Sequence, residues 1–447
     1  MFRFRKDNCK ILLFLSALMS VCLSGCSIDI NVDAMLTPPK LSGEQEQIYQ
    51  ALENTAGTGI RLKYPKSGSY LSAFTIADID GEPGDEAIVF YEKTGAAVSE
   101  SGLRINILDK IDNQWQSICD RSAEGSEIEK IMISPLGDSD RINIIVGYST
   151  ANQSEKYLSV YTYEENYLNQ TLRHSYALFD IVETNRHPDL MLLGAVTASE
   201  PAYAAVYRLA GDGLYHEYKY QFADNYTDYH QLICSQIPDG RTAFYIDAAT
   251  GTANLQTEIL CLEEPEDSEI EYQLSNLLQR CGWTASGTVR RAGLPTMDID
   301  GDGTPEIPVQ TVFPGYTDVA EPEQIRETDW LTMQDNLIFP EYESYYNAND
   351  GYLFLLPEAW KHHVTIRNNP TENEIQVCAY DGELTEEMPV LLRIYIAYDE
   401  ADRDDHLGGG YLLQHTKGTA DYLIKPESGH DLSMSAGTLL LYFYFLD

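Results

Sequence analysis

Thr75-Ile76-Ala77-Asp78-Ile79-Asp80-Gly81-Glu82-Pro83-Gly84-Asp85-Glu86 runs into Ala87-Ile88-Val89-Phe90-Tyr91, and Met297-Asp298-Ile299-Asp300-Gly301-Asp302-Gly303-Thr304-Pro305-Glu306 runs into Ile307-Pro308-Val309. Both stretches follow one order: acids and glycines suited to a tight turn, a closing glutamate, then a short apolar run that reads as a buried strand. Three worn copies lie between them. Gly137-Asp138-Ser139-Asp140-Arg141 precedes an apolar run at 142–147, Asp180 to Asp189 precedes one at 190–194, and Pro238-Asp239-Gly240-Arg241 precedes one at 242–246. The copies recur at roughly 50 to 65 residues, close to the period of propeller blades.

A second strand signal follows in the same phase, at Arg104–Leu108, Leu158–Tyr161 and Ala204–Tyr207. A unit of several short strands cannot bury its own apolar face, so repeated units must bury one another around or along a common axis. The Asp-x-Asp-Gly loops with their acidic follower and buried strand resemble the FG-GAP/VCBS-type repeats of integrin-type β-propellers. The span from Gly43 to Gln310 is similar to the propeller-like portion of secreted Firmicute lipoproteins. The resemblance implies a mainly β chain, with a β-propeller-like repeat domain followed by a small α+β domain, behind a lipoprotein signal peptide.

The N-terminus supports that address. Arg3, Arg5, Lys6 and Lys10 precede an apolar run from Ile11 to Leu23, and Leu23-Ser24-Gly25-Cys26 closes it. A basic start, a short apolar run and small residues before a cut form a secretory signal. A run of about 13 residues is too short for a hydrocarbon core that needs roughly 20. The closing tetrapeptide resembles the lipobox of bacterial lipoproteins, which implies that the Cys26 thiol receives a diacylglycerol and begins the mature chain. Two acyl chains anchor stably where one does not. The expected location is extracytoplasmic, on the membrane of a Gram-positive cell, with contact to the membrane through lipid.

The expected domain division is a signal peptide at 1–25, a tether at 26–42 containing Pro38 and Pro39, and a repeat domain at 43–316 that opens with a helix. A linker at 317–347, rich in Glu, Pro, Asn and Tyr, then precedes a separate C-terminal domain at 348–447. The Leu439–Leu446 run is too short to span a membrane and is expected to close that last domain as a buried strand or helix.

Thirty Lys+Arg stand against 70 Asp+Glu, a net charge of −40. Nucleic acid needs a basic footprint and is excluded as a partner. Cys119, Cys234, Cys261, Cys281 and Cys378 follow Cys26 without a CxxC spacing, so neither a zinc site nor a redox pair is expected.

The acids at alternate positions are the candidate chemistry. Ca²⁺ takes six to eight oxygens, and Asp298, Asp300, Asp302, the Thr304 carbonyl and Glu306 offer such a set, with Gly303 permitting the sharp turn. An EF-hand needs a bidentate acid at its twelfth position, which is Val309 here, and a helix where a strand follows. The FG-GAP type of loop is therefore the expected one, and Ca²⁺ the expected structural cofactor. Asp78, Asp80, Glu82, the Gly84 carbonyl and Glu86 repeat the pattern, but Pro83 replaces the turn glycine and marks a poorer site. HExxH and GxSxG motifs are absent from the sequence, so no catalytic residues are assigned. The expected function is a membrane-anchored binding or scaffold protein of the cell envelope with a protein or glycan ligand. The alternative is an envelope glycan-active hydrolase or lyase, which would show facing carboxylates in a deep pocket.

Overall fold

The computed structural model describes residues 41–93, 102–151, 155–184, 187–211, 213–237, 240–263, 272–334 and 336–446. The signal peptide, Cys26 and nearly all of the tether lie outside the described residues. The fold opens with helix α1 (Gly43–Ala56), started by a capping box in which Gln45 N donates to Ser42 Oγ at 3.2 Å and Ser42 N to Gln45 Oε1 at 3.0 Å.

Six antiparallel sheets follow. The first holds β1 (Ile60–Leu62), β2 (Phe74–Ala77), β3 (Glu86–Lys93), β4 (Leu103–Ile111) and β5 (Gln114–Ser122). The second is a meander of β6 (Glu127–Leu136), β7 (Ser139–Ser149), β8 (Lys156–Glu164) and β9 (Tyr167–Ser175). The third repeats it with β10 (Leu178–Thr184), β11 (His187–Gly194), β12 (Tyr203–Leu209) and β13 (Tyr215–Gln221). The fourth has β14 (Asp228–Gln236), β15 (Thr242–Ala249), β16 (Asn254–Glu263) and β17 (Gln273–Asn276), then the short helix α2 (Leu277–Arg280) and β18 (Arg290–Arg291), which pairs with β16.

The acidic turn and its worn copies occupy one place in this scheme. They join β2 to β3, β6 to β7, β10 to β11 and β14 to β15, and the Asp298 loop leads into β19 (Ile307–Val312) of the fifth sheet. What replaced the acids in worn copies is visible. Asp189 is fully buried and accepts from Arg208, with Arg208 Nη2 at 2.7 Å, so an internal cation neutralises it. At Gly137 the neighbouring sheet comes so close that a Cβ would sit 2.1 Å from the Leu209 carbonyl oxygen. Gly137 N donates across to Pro188 O at 2.8 Å and Asp138 N to Leu209 O at 3.1 Å.

Alternation along each strand sends side chains to opposite faces, and each face has its own neighbour. In β3, Ala87, Val89 and Tyr91 pack on Ile48 and Leu52 of α1, while Ile88 and Phe90 pack on Ile144 and Val146 of β7. Ile145 turns the other way, onto Leu190 and Leu192 of β11. Met191 and Leu193 meet Phe244 and Ile246 of β15, and Ala243 and Tyr245 meet Ile307 of β19. The result is a mainly β, propeller-like succession of sheets in which β3, β7, β11 and β15 are covered on both faces, as the repeat predicted.

The expected linker is corrected. Residues 317–347 contain β20 (Arg326–Gln334) and β21 (Leu337–Asn347), two central strands of the fifth sheet, which continues into β22 (Tyr352–Leu355). Trp330 is fully buried and donates through Nε1 to Ser344 Oγ at 2.8 Å. The stretch lacked an obvious apolar period because Glu327, Thr328, Thr332, Glu343, Ser344 and Asn347 take buried positions beside Trp330, Leu331 and Met333.

The residues after 347 are likewise not walled off from those before. The sixth sheet holds β23 (Val364–Asn369), β24 (Glu374–Ala379), β25 (Val390–Ala397), β26 (Leu412–Lys417) and β27 (Ala420–Pro426), with α3 (Glu400–Gly408) between β25 and β26. Its Val364, Ile366, Leu392 and Ile424 share one core with Phe313, Tyr352 and Phe354. The final apolar run forms α4 (Ala436–Leu439) and β28 (Phe443–Phe445), and β28 pairs with β22 in the fifth sheet.

Candidate metal centre

The two acidic loops fold alike. Ile79 N donates to Glu86 Oε2 and Ile299 N to Glu306 Oε2, each at 2.9 Å. Gly81 N donates to Asp78 Oδ1 and Gly301 N to Asp298 Oδ1, each at 2.7 Å. The glycines take positive φ, 79° at Gly81 and 80° at Gly301, a conformation in which Gly escapes the Cβ penalty. These bonds turn the carboxylates inward. One oxygen each from Asp78, Asp80 and Glu86, and one each from Asp298, Asp300 and Glu306, lie within 4.8 Å of one another.

Of the expected ligands, the structure therefore brings together Asp78, Asp80 and Glu86 in one loop and Asp298, Asp300 and Glu306 in the other. The Glu82 and Asp302 carboxylates are not in these clusters: Asp302 Oδ1 instead accepts from Thr304 N at 2.6 Å, holding the turn. The sixth position separates the loops as expected, for a reason the geometry makes specific. Gly303 N donates to Asp298 Oδ2 at 2.9 Å, whereas Pro83 has no N–H with which to hold Asp78 in the same way.

The Asp298 loop is also braced from outside. Tyr342 Oη donates to Asp300 Oδ2 at 2.8 Å, and Ser235 Oγ to Gly303 O at 2.7 Å. Just upstream, Thr296 N and Oγ1 donate to the two oxygens of buried Asp247 at 2.8 and 2.7 Å, and Arg290 Nη2 neutralises that carboxylate at 2.6 Å. Sequence reading missed this anchor, because Asp247, Arg290 and Thr296 sit on different segments and nothing local marks them as partners.

Electrostatics favours a cation in both loops. Burial pushes the Glu306 carboxyl up to about 8, with repulsion from Asp300, Asp298 and Asp302 adding to it, and Glu306 is 1 % exposed. Burial likewise raises Glu86 to about 7, aided by Asp80, Asp109 and Asp78. Glu306 Oε1 is buried with no hydrogen-bond partner. Such an oxygen is costly unless something positive or donating meets it, and a metal ion among these carboxylates meets that need.

A second acidic group was hidden in the expected linker. Asp329 of β20 faces Glu343 of β21 across the ladder, and Glu327 lies two residues along on the same face. Burial raises Glu327 to about 8 and Asp329 to about 6, with Glu343 the next cause in each case. The only sequence signal was alternation of acids with Thr328 and Trp330. Nearby His362 is largely solvated, with its Nε2 3.6 Å from Glu343 Oε1. The five cysteines in the described residues are all unbridged.

No family model and no curated protein matches the chain. Among solved structures it is similar to a Bacillus licheniformis rhamnogalacturonan lyase, at 11 % identity and a TM-score of 0.28, over 74 % of this chain and 76 % of that one. It is also similar to a Penicillium chrysogenum α-L-arabinanase complexed with arabinobiose, at 8 % identity and a TM-score of 0.22, over 82 % of this chain and 96 % of that one. A Fusarium graminearum α-L-arabinofuranosidase aligns at 8 % identity and a TM-score of 0.22, over 81 % of this chain and 96 % of that one. Likenesses at this level carry no argument about activity, and the sheet topology of this chain stands on its own strand pairing.

Proposed function

We propose that this chain is a lipid-anchored binding protein of the cell envelope whose propeller-like sheets are stabilised by Ca²⁺ in the Asp298 loop and, more weakly, in the Asp78 loop. The observation that carries the metal reading is the convergence of Asp298, Asp300 and Glu306 oxygens within 4.8 Å, with buried Glu306 Oε1 lacking a partner. An all-oxygen donor set suits a hard cation such as Ca²⁺. The ion would tie the turn before β19 to the strand itself, and would relieve the repulsion among the acids. Thermal unfolding with calcium, with magnesium and with chelator tests it: a melting temperature indifferent to all three removes the metal reading.

The anchor rests on Leu23-Ser24-Gly25-Cys26. Cys26→Ala should abolish lipid labelling and leave the precursor uncleaved. Unchanged lipid incorporation and membrane retention in that variant would remove the lipoprotein reading.

A second reading, a glycan-active enzyme, is favoured by one observation: Glu327, Asp329 and Glu343 share a face of the fifth sheet, and burial raises the Glu327 and Asp329 carboxyls into the range of a general acid. Release of reducing ends from envelope polysaccharides by the intact chain, lost in both Glu327→Gln and Asp329→Asn, would support it. No release from any polysaccharide by the wild type would dismiss it.

A further inference from the structure

Between the fourth sheet and the fifth, beside the turn that leads into β19, lies a cavity of about 550 Å³. Strand register fixes one wall. Tyr346 lies opposite Leu353 and Leu353 opposite Tyr444, so these three side chains stand in a row on one face of β21, β22 and β28, with Leu446 two residues along on that face. Met297 and Ile299 line the cavity from the turn. Ile299 and Leu353 belong to one buried cluster, against which Met297, Tyr346 and Leu446 pack, so the face that bears the tyrosines is the one turned toward the turn. The volume and the mainly apolar walls match small-ligand sites, in which a few polar groups fix orientation.

The segment before β19 is held in place on the free chain. Gln231 Nε2 donates to Thr296 O and Arg290 Nε to Leu294 O, each at 2.6 Å, and Tyr346 Oη donates to Gly293 O at 3.0 Å. A preformed cavity spares a ligand the cost of ordering it. Besides the tyrosines, its lining holds two ionisable groups among the described residues: His230, the extra residue of a bulge in β14, and Asp298. No lysine or arginine lines it among the described residues. Asp298 shares its loop with Asp300, Asp302 and Glu306, and these acids outnumber the charge of a divalent ion, so this end of the cavity is negative with or without a metal. Tyr346 and Tyr444 bring aromatic rings, whose faces attract cations. Apolar walls, aromatic rings and a negative end together suit an apolar body that carries a positive charge, and they repel an anion.

We propose that this cavity binds an organic ammonium, an alkyl- or aryl-substituted amine whose apolar part rests on Leu353, Ile299 and Leu446 and whose charge meets Tyr346, Tyr444 and the Asp298 loop. The inference goes beyond the proposed envelope role and needs neither the lipid anchor nor the metal.

Calorimetric titration of the full chain in detergent, against a detergent blank, tests the proposal with phenethylammonium, its neutral counterpart 2-phenylethanol and the anion phenylacetate. Phenethylammonium should bind roughly tenfold or more tightly than 2-phenylethanol, and phenylacetate should not bind. Tyr444 is exposed enough to be replaced without disturbing the core. Tyr444→Leu, which keeps an apolar wall and removes the ring, should weaken the amine by about threefold or more and leave the alcohol unchanged. Leu446→Gln, which makes the wall polar, should weaken amine and alcohol together. Both variants should melt as the wild type does. Equal affinity for amine and alcohol, binding of phenylacetate, a Tyr444→Leu variant that binds the amine like the wild type, or no binding of any of the three would each overturn the proposal. Binding of the amine should persist in chelator and in saturating calcium. Its loss in either would overturn a metal-independent site, while melting with calcium decides the metal reading separately.

Discussion

At the scale of single residues, the two acidic loops differ by one missing N–H. Gly303 fastens the second oxygen of Asp298, and Pro83 cannot do the same for Asp78. If calcium binds the folded chain alone, calcium at about 100 times its dissociation constant should stabilise it by about 2.7 kcal/mol. Asp300→Ala should erase most of that gain and Asp80→Ala less, and equal losses in calorimetric melting would contradict the difference assigned to Pro83. A pH effect belongs to Glu327. Its folded carboxyl is raised to about 8 from an ordinary 4.5, so the folded state holds the extra proton between those values and stability falls as pH climbs from about 4.5 to about 8. Glu327→Gln should therefore flatten that decline and gain on the order of 1–2 kcal/mol at pH 8, the full shift being shared with Asp329. Urea midpoints at pH 5 and pH 8 read this directly, and a variant that declines as steeply as the wild type refutes the assignment.

At the scale of elements, close approach and shared strands decide what may change. Gly137 sits at φ 61° with the Leu209 backbone where a Cβ would go. Gly137→Ala should cost about 2–4 kcal/mol, combining the left-handed penalty with a forced separation of the second and third sheets. A denaturation midpoint within error of wild type would show that the junction yields freely. The fifth sheet makes a sharper demand. A fragment of residues 348–447 keeps β22 and β28 but loses β21, whose Tyr345 lies opposite Phe354, and loses Phe313 from the core beneath the sixth sheet. It should show no cooperative melting by itself. A sigmoidal transition from that fragment would restore the two-domain division.

At the scale of the whole molecule, the sheets form a line of shared cores that begins under α1 and reaches the sixth sheet through Phe313, Tyr352 and Phe354. Strand β28 belongs to this line as well, since it completes the fifth sheet rather than a separate unit. Stability is accordingly expected to be cooperative across residue 347, and a metal bound before β19 would act at a joint between the fourth and fifth sheets.

Local order was legible in the sequence wherever its cause was local. The recurring turn-then-apolar pattern named the loops and the strands after them, and the helix opening at Gly43 was expected from the sequence. What the chain alone left open is whatever depends on partners far apart in sequence. Strands β20 and β21 read as a linker because Glu327, Asp329 and Glu343 take positions where apolar residues would announce a strand, and only the sheets around them make those positions interior. The burial that leaves Glu306 Oε1 unpartnered and the Asp247–Arg290–Thr296 anchor arise the same way. Each is set by which surfaces meet across the fold, and periodicity along one strand carries no record of the strand that will face it.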